Sequence, residues 1–127
     1  MGADDRVVLV RPSERVSGPA TPGMNREQAH VTDGMWAGFV TTDGGMTSGW
    51  HHHGEYDSAI YVLSGALRME FGRGGTESLD ARPGDFVLVP KGAVHRESNP
   101  SDDVAEIIVV RSGRGESNVN VDGPAGT

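Results

Sequence analysis

Between Gly84 and Asn99 the chain reads GDFVLVPKGAVHRESN. A short apolar strand runs into Pro90 and Gly92, and a histidine follows at His95. Proline fixes φ and glycine supplies positive φ, so Pro90-Lys91-Gly92 is a rigid turn that sets where the next strand begins. Upstream, Gly45 to Gly65 reads GMTSGWHHHGEYDSAIYVLSG and offers His51 and His53 one residue apart in strand-like sequence. Side chains alternate across a strand, so His51 and His53 face one way, and His52 faces the other with Trp50. Two imidazoles on one strand and a third on a later strand can meet at a single metal ion.

Working outward, no apolar period of 3.6 residues persists beyond a turn or two. Short runs rich in Val, Ile, Phe and Tyr recur between Gly, Pro, Asp and Asn. Expected strands are Val7–Val10, Met35–Thr41, Gly49–His53, Ala59–Ser64, Ala66–Phe71, Glu77–Ala81, Asp85–Val89, Val94–Glu97 and Val104–Arg111. Many short strands with regular turns imply an all-β sandwich or barrel. Residues 11–33 carry Pro12, Pro19, Pro22 and Gly23 and are expected to be a loop or arm, and residues 112–127 a flexible tail. Asn118–Asp122 alternates weakly and could add an edge strand to a partner. One domain over 1–127 is expected, with its core at about 35–111.

Composition narrows the function classes. There is no cysteine, which excludes disulfides, thiolate nucleophiles and zinc–thiolate sites. The net charge of −7 argues against nucleic acid or an anionic membrane as the main partner. No apolar run is long enough to span a bilayer as a helix, and MGADDRVV lacks a signal-peptide apolar region. A cytoplasmic protein is expected.

The quoted stretches resemble the two signature motifs of the cupin superfamily. The second motif is matched by Gly84, Pro90, Gly92, His95 and Asn99, and the first by Gly45, His51, His53 and Gly65. The acidic position of the first motif departs from the pattern. A three-residue spacer after His53 places it at Asp57, and a four-residue spacer places it at Ser58. The resemblance implies a double-stranded β-helix, a jelly-roll barrel, with the metal inside. It also implies His51, His53, His95 and Asp57 as metal ligands, with a three-histidine site and an outer Asp57 as the alternative.

The function this implies is a metal-dependent enzyme acting on a small metabolite. Fe(II) is the first choice of ion, with Mn, Ni, Cu or Zn as alternatives, and dioxygenase chemistry is the first choice of reaction because open coordination positions remain. Metal-assisted isomerisation, dehydration or lyase chemistry is the alternative, as is a non-catalytic ligand-binding cupin. Glu97, two residues after His95, is expected on the same strand face as a buried acid/base or a partner to a ligand imidazole, with a surface ion pair as the plainer reading. Glu55, Tyr56 and Ser58 are candidate acids or bases beside the site, with turn formation as the plainer role. His30 is expected at the surface. Trp50, Tyr61, Met69, Phe71 and Phe86 are expected in the barrel core. A homodimer is expected because small jelly rolls leave sheet edges to be covered; Val7–Val10 and the 11–33 arm would be exchanged.

Overall fold

The computed structural model describes residues 5–19, 21–115 and 118–125. Strand order follows the runs of β-branched residues and the turns between them. The strands are β1 (Val16–Ser17), β2 (Met24–Thr32), β3 (Met35–Thr42), β4 (His51–His52), β5 (Asp57–Ser64), β6 (Leu67–Phe71), β7 (Glu77–Ala81), β8 (Phe86–Val89), β9 (His95–Ser98), β10 (Ala105–Ser112) and β11 (Val119–Asn120). Single 3-10 turns cover Pro12–Glu14 and Arg73–Gly75. Among the described residues no helix is long and apolar enough to cross a membrane.

The strands form two antiparallel sheets, β1-β2-β3-β10-β5-β8 and β11-β4-β9-β6-β7. From β3 onward the chain passes from one sheet to the other at every connection except the β6–β7 hairpin. This alternation is that of a double-stranded β-helix. Strand parity builds the interior: Ser58, Ile60 and Val62 of β5 are buried while Asp57, Ala59 and Leu63 are exposed. Val40, Ile60, Val62, Ile107 and Val109 of the first sheet pack in one cluster with Leu67 and Met69 of the second.

The signature glycines sit at turns that require positive φ. Gly65 joins β5 to β6 with φ +84°, and a Cβ there would lie 2.7 Å from the Ala105 Cα. Gly84 has φ +97° in a turn closed at both ends. Asp85 N donates to Arg82 O at 2.9 Å, and Arg82 N donates to Asp85 Oδ2 at 2.8 Å.

Several sequence expectations give way. The arm assigned to residues 11–33 contains β2, a nine-residue strand paired with β3. Its alternation is hidden because one inward position holds Arg26, a buried cation, where an apolar residue would have revealed the strand. Val7–Val10 forms no strand, with Val7, Val8 and Leu9 exposed, and β2 pairs within its own chain. Val119–Asn120, placed in the flexible tail, pairs with His51–His52 of the same chain. Met69 and Phe71 belong to the core, but Trp50, Tyr61 and Phe86 do not. Tyr61 and Phe86 stack on each other outside the barrel, with ring centroids 4.8 Å apart and Phe86 78% exposed. Tyr61 has the parity of Ala59 and Leu63, which faces away from the interior.

Candidate metal centre

His51 lies on β4 and His95 on β9, and the two are direct partners across the strands. The pairing is continued by Ser48, whose N–H donates to Glu97 O at 2.8 Å while its Oγ accepts from Glu97 N at 3.0 Å. Beyond β4 the loop is tied to the Pro90-Lys91-Gly92 turn, because Gly92 N donates to Gly54 O at 2.8 Å. The two histidine-bearing segments are therefore bonded to each other on both sides of the site.

His51, His53 and His95 are all buried, and one ring nitrogen from each lies within 4.8 Å of the others. Ring centroids are 4.3 Å apart for His51 and His95, 4.9 Å for His53 and His95, and 5.1 Å for His51 and His53. Nδ1 of His51 is 2.9 Å from Gly49 O, and Nδ1 of His95 is 2.9 Å from Ala93 O. A carbonyl only accepts, so each Nδ1 carries the proton and each Nε2 keeps its lone pair. Burial holds His95 below the ordinary imidazole pKa, against the Ala93 hydrogen bond and with help from His51 and Arg111. Neutral imidazoles with directed lone pairs are what a first-row divalent ion requires, at about 2.0–2.1 Å from each nitrogen. The donor set fits such an ion.

Glu97 is buried, with Oε1 3.8 Å from His51 Nε2. It is a carboxylate at the centre, and the surface ion-pair reading does not hold. Asp57 is different. It is exposed, and its Oδ1 accepts a hydrogen bond from Lys91 N at 3.1 Å, outside the histidine group. The fourth ligand expected at Asp57 is not brought to the cluster, because at the start of β5 its parity turns outward and its neighbour Ser58 turns inward. His52 also lies outside the group, its Nδ1 accepting from Gly54 N at 3.0 Å. His30 is half-buried on β2 and not part of it, and Glu55 is exposed.

A cleft of about 210 Å³ reaches His95 between the edges of the two sheets. Its walls are apolar, including Met69, Phe71, Val87, Val89 and Pro90. Two cations went unnoticed in the sequence. Arg26 and Arg111 occupy inward positions of β2 and β10. The available signal was parity: Arg111 continues the buried series Ile107, Val109.

The profile of the cupin domain family matches residues 38–111. This chain belongs to the cupin family. The solved structure of KdgF from Halomonas sp. is similar at a TM-score of 0.73 and 25% identity, covering 87% of this cupin and 97% of that chain. A structure of Bacillus subtilis oxalate decarboxylase, a protein with Mn(II) centres, shares the fold at a TM-score of 0.68 and 21% identity over 80% of this cupin and 29% of that chain. The uncharacterized protein YdbB of Bacillus subtilis (strain 168) is 45% identical over 47 residues, 37% of this cupin. The match spans 40% of YdbB's own length.

Proposed function

We propose that this cupin is a metal-dependent enzyme acting on a small metabolite, with His51, His53 and His95 holding one divalent first-row ion. The observation that carries this reading is the buried histidine group, with its ring nitrogens converging and two of its Nε2 atoms freed by backbone carbonyls. When bound, the ion supplies Lewis-acid or oxygen-activating chemistry through the coordination positions that three imidazoles leave open. Fe(II) and oxygenation of the substrate remain the first reading. The apolar cleft at His95 gives a small, partly apolar molecule a route to the centre.

Glu97 favours a second reading within the same class. A buried carboxylate 3.8 Å from a ligand imidazole can take a proton from a bound substrate at Oε1 and return it elsewhere, which is isomerase or lyase chemistry. The two differ in what they consume: oxygenation uses O₂, and proton transfer does not. Metal analysis of the purified chain, then O₂ uptake with Fe(II) across a panel of small metabolites, tests both. Substrate-dependent O₂ uptake supports the oxygenase; turnover without it supports proton transfer. Bound metal without any turnover leaves a ligand-binding cupin, and absence of metal overturns the reading.

A further inference from the structure

β4 is the shorter of the two strands that carry candidate ligands, two residues against four in β9. Among the described residues it meets β9 at one register position, His51 opposite His95. Its other edge is covered by β11, where Val119 pairs with His52 and Asn120 with His51. The cover continues past β11, because Val121 N donates to Trp50 O at 3.1 Å. The sheet order runs β11-β4-β9, so without β11 the strand bearing His51 would be the edge of its sheet. Edge strands with unpaired backbone groups lie at the low end of local stability.

Trp50 anchors this cover from the outer side of the sheet. Arg96 alternates with the buried His95 and Glu97 along β9 and so points outward. Its guanidinium carbon lies 4.6 Å from the centre of the Trp50 ring. Glu70 fixes that guanidinium with two bonds, Arg96 Nε to Oε1 at 2.9 Å and Nη2 to Oε2 at 3.1 Å. Gly75 also packs on Trp50: a Cβ there would fall 2.8 Å from Trp50 Cη2 and 3.6 Å from Pro124 Cγ. Gly74 N donates to Ala125 O at 3.2 Å. Residues 119–125 therefore form a strap, paired to β4 at one end and bonded to the Arg73–Gly75 turn at the other, with Trp50 in contact along its length.

We infer that this strap positions the metal centre, with Trp50 as the positioning residue that couples the two. The docked strap holds β4, and with it His51 and His53, where they converge with His95. The inference rests on the metal reading proposed above. An ion is held tightly only while all three imidazoles converge, so releasing the strap lowers the fraction of chains with a competent site. Apparent affinity falls in proportion, about tenfold for a competent fraction of about one tenth. The coupling is reciprocal, so a bound ion holds the strap down in turn.

The test titrates the purified full chain with Zn(II) against a competing chelator and follows amide hydrogen exchange by NMR with and without Zn(II). Trp50→Ala should weaken Zn(II) binding by about tenfold or more, the scale on which groups that orient a ligand act. Trp50→Phe, which keeps a ring face for Arg96, should recover part of the loss. Val121→Pro removes the bond to Trp50 O while leaving Asn120 extended, and should weaken Zn(II) several-fold; it keeps the inference testable if Trp50→Ala folds poorly. Gly65→Ala strains the barrel away from the strap and should leave Zn(II) affinity near wild type, which separates positioning from general stability. In the wild-type chain Zn(II) should slow exchange of the Val121 and Gly74 amides. Wild-type Zn(II) affinity in Trp50→Ala and Val121→Pro, an equal loss in Gly65→Ala, or Val121 exchange indifferent to Zn(II) would overturn the strap's role and leave the metal reading standing. A wild-type chain that takes up no Zn(II) would sink the metal reading and this inference with it.

Discussion

His51 and His95 are direct cross-strand partners of β4 and β9, with ring centroids 4.3 Å apart. The pairing makes the distance between two candidate ligands a property of the sheet and not of a loop. It also joins the two sequence motifs, whose paired histidines are more than forty positions apart in the chain.

The first prediction follows from that pairing. Alanine at His51, His53 or His95 should remove most bound metal, and His52→Ala should leave metal content near wild type, because His52 lies outside the group. Metal analysis and circular dichroism on the four variants check this. A loss in His52→Ala equal to that in His51→Ala would mean a different set of ligands.

Asp57 is expected to be structural. Its bond to Lys91 N fixes the turn before β9, so Asp57→Ala should lower stability by about 0.5–1.5 kcal/mol while metal affinity changes little. Denaturant unfolding beside a metal titration separates the two effects. A tenfold fall in affinity would return Asp57 to the ligand set.

Gly65→Ala should destabilise the fold by about 2 kcal/mol or more, since φ is +84° and the new Cβ meets the Ala105 backbone at 2.7 Å. Thermal unfolding of the variant gives the value, and an unchanged midpoint would contradict the geometry.

Asn99 is 1% exposed and ties together the loop before β10. Its Nδ2 donates to Asp103 O at 2.7 Å and Thr42 O at 3.3 Å, and its Oδ1 accepts from Ser101 N at 3.1 Å and Ser101 Oγ at 2.8 Å. Asn99→Ala orphans several of these groups and should cost about 1–3 kcal/mol. Asn99→Asp, which loses both donors but keeps the acceptor, should also destabilise. If both variants unfold at the wild-type denaturant concentration, the loop does not depend on this side chain.

The homodimer stays a prediction, with a changed surface. Phe86 and Leu88 on the sheet-edge strand β8 are 78% and 67% exposed. Exposed apolar side chains on an unpaired edge favour association with a second copy. Light scattering should report a dimer that Phe86→Glu with Leu88→Glu converts to monomer; a monomeric wild-type chain at micromolar concentration would contradict it.

What the sequence determined by itself was local. Strand alternation aligned His51 with His53 and turned His52 away. Pro90, Gly92, Gly84 and Gly65 marked turns by backbone rules that need no partner, and β5 and β10 announced themselves through β-branched residues. What the tertiary structure alone decided depended on burial. Strand β2 carries Arg26 inward and so shows no apolar period. Asp57 and Ser58 are adjacent in sequence and differ only in which side of one pleat they occupy. Phe86 and Tyr61 are apolar in composition yet stack outside the barrel, because parity along β5 and β8 assigns the interior to Ile60 and Val87. Arg111 looks like the polar end of an apolar strand. Strand pairing sets Arg111 opposite Ser58, and only closing the two sheets brings it within the field of Glu97, since the partners of a buried charge come from strands distant in the chain.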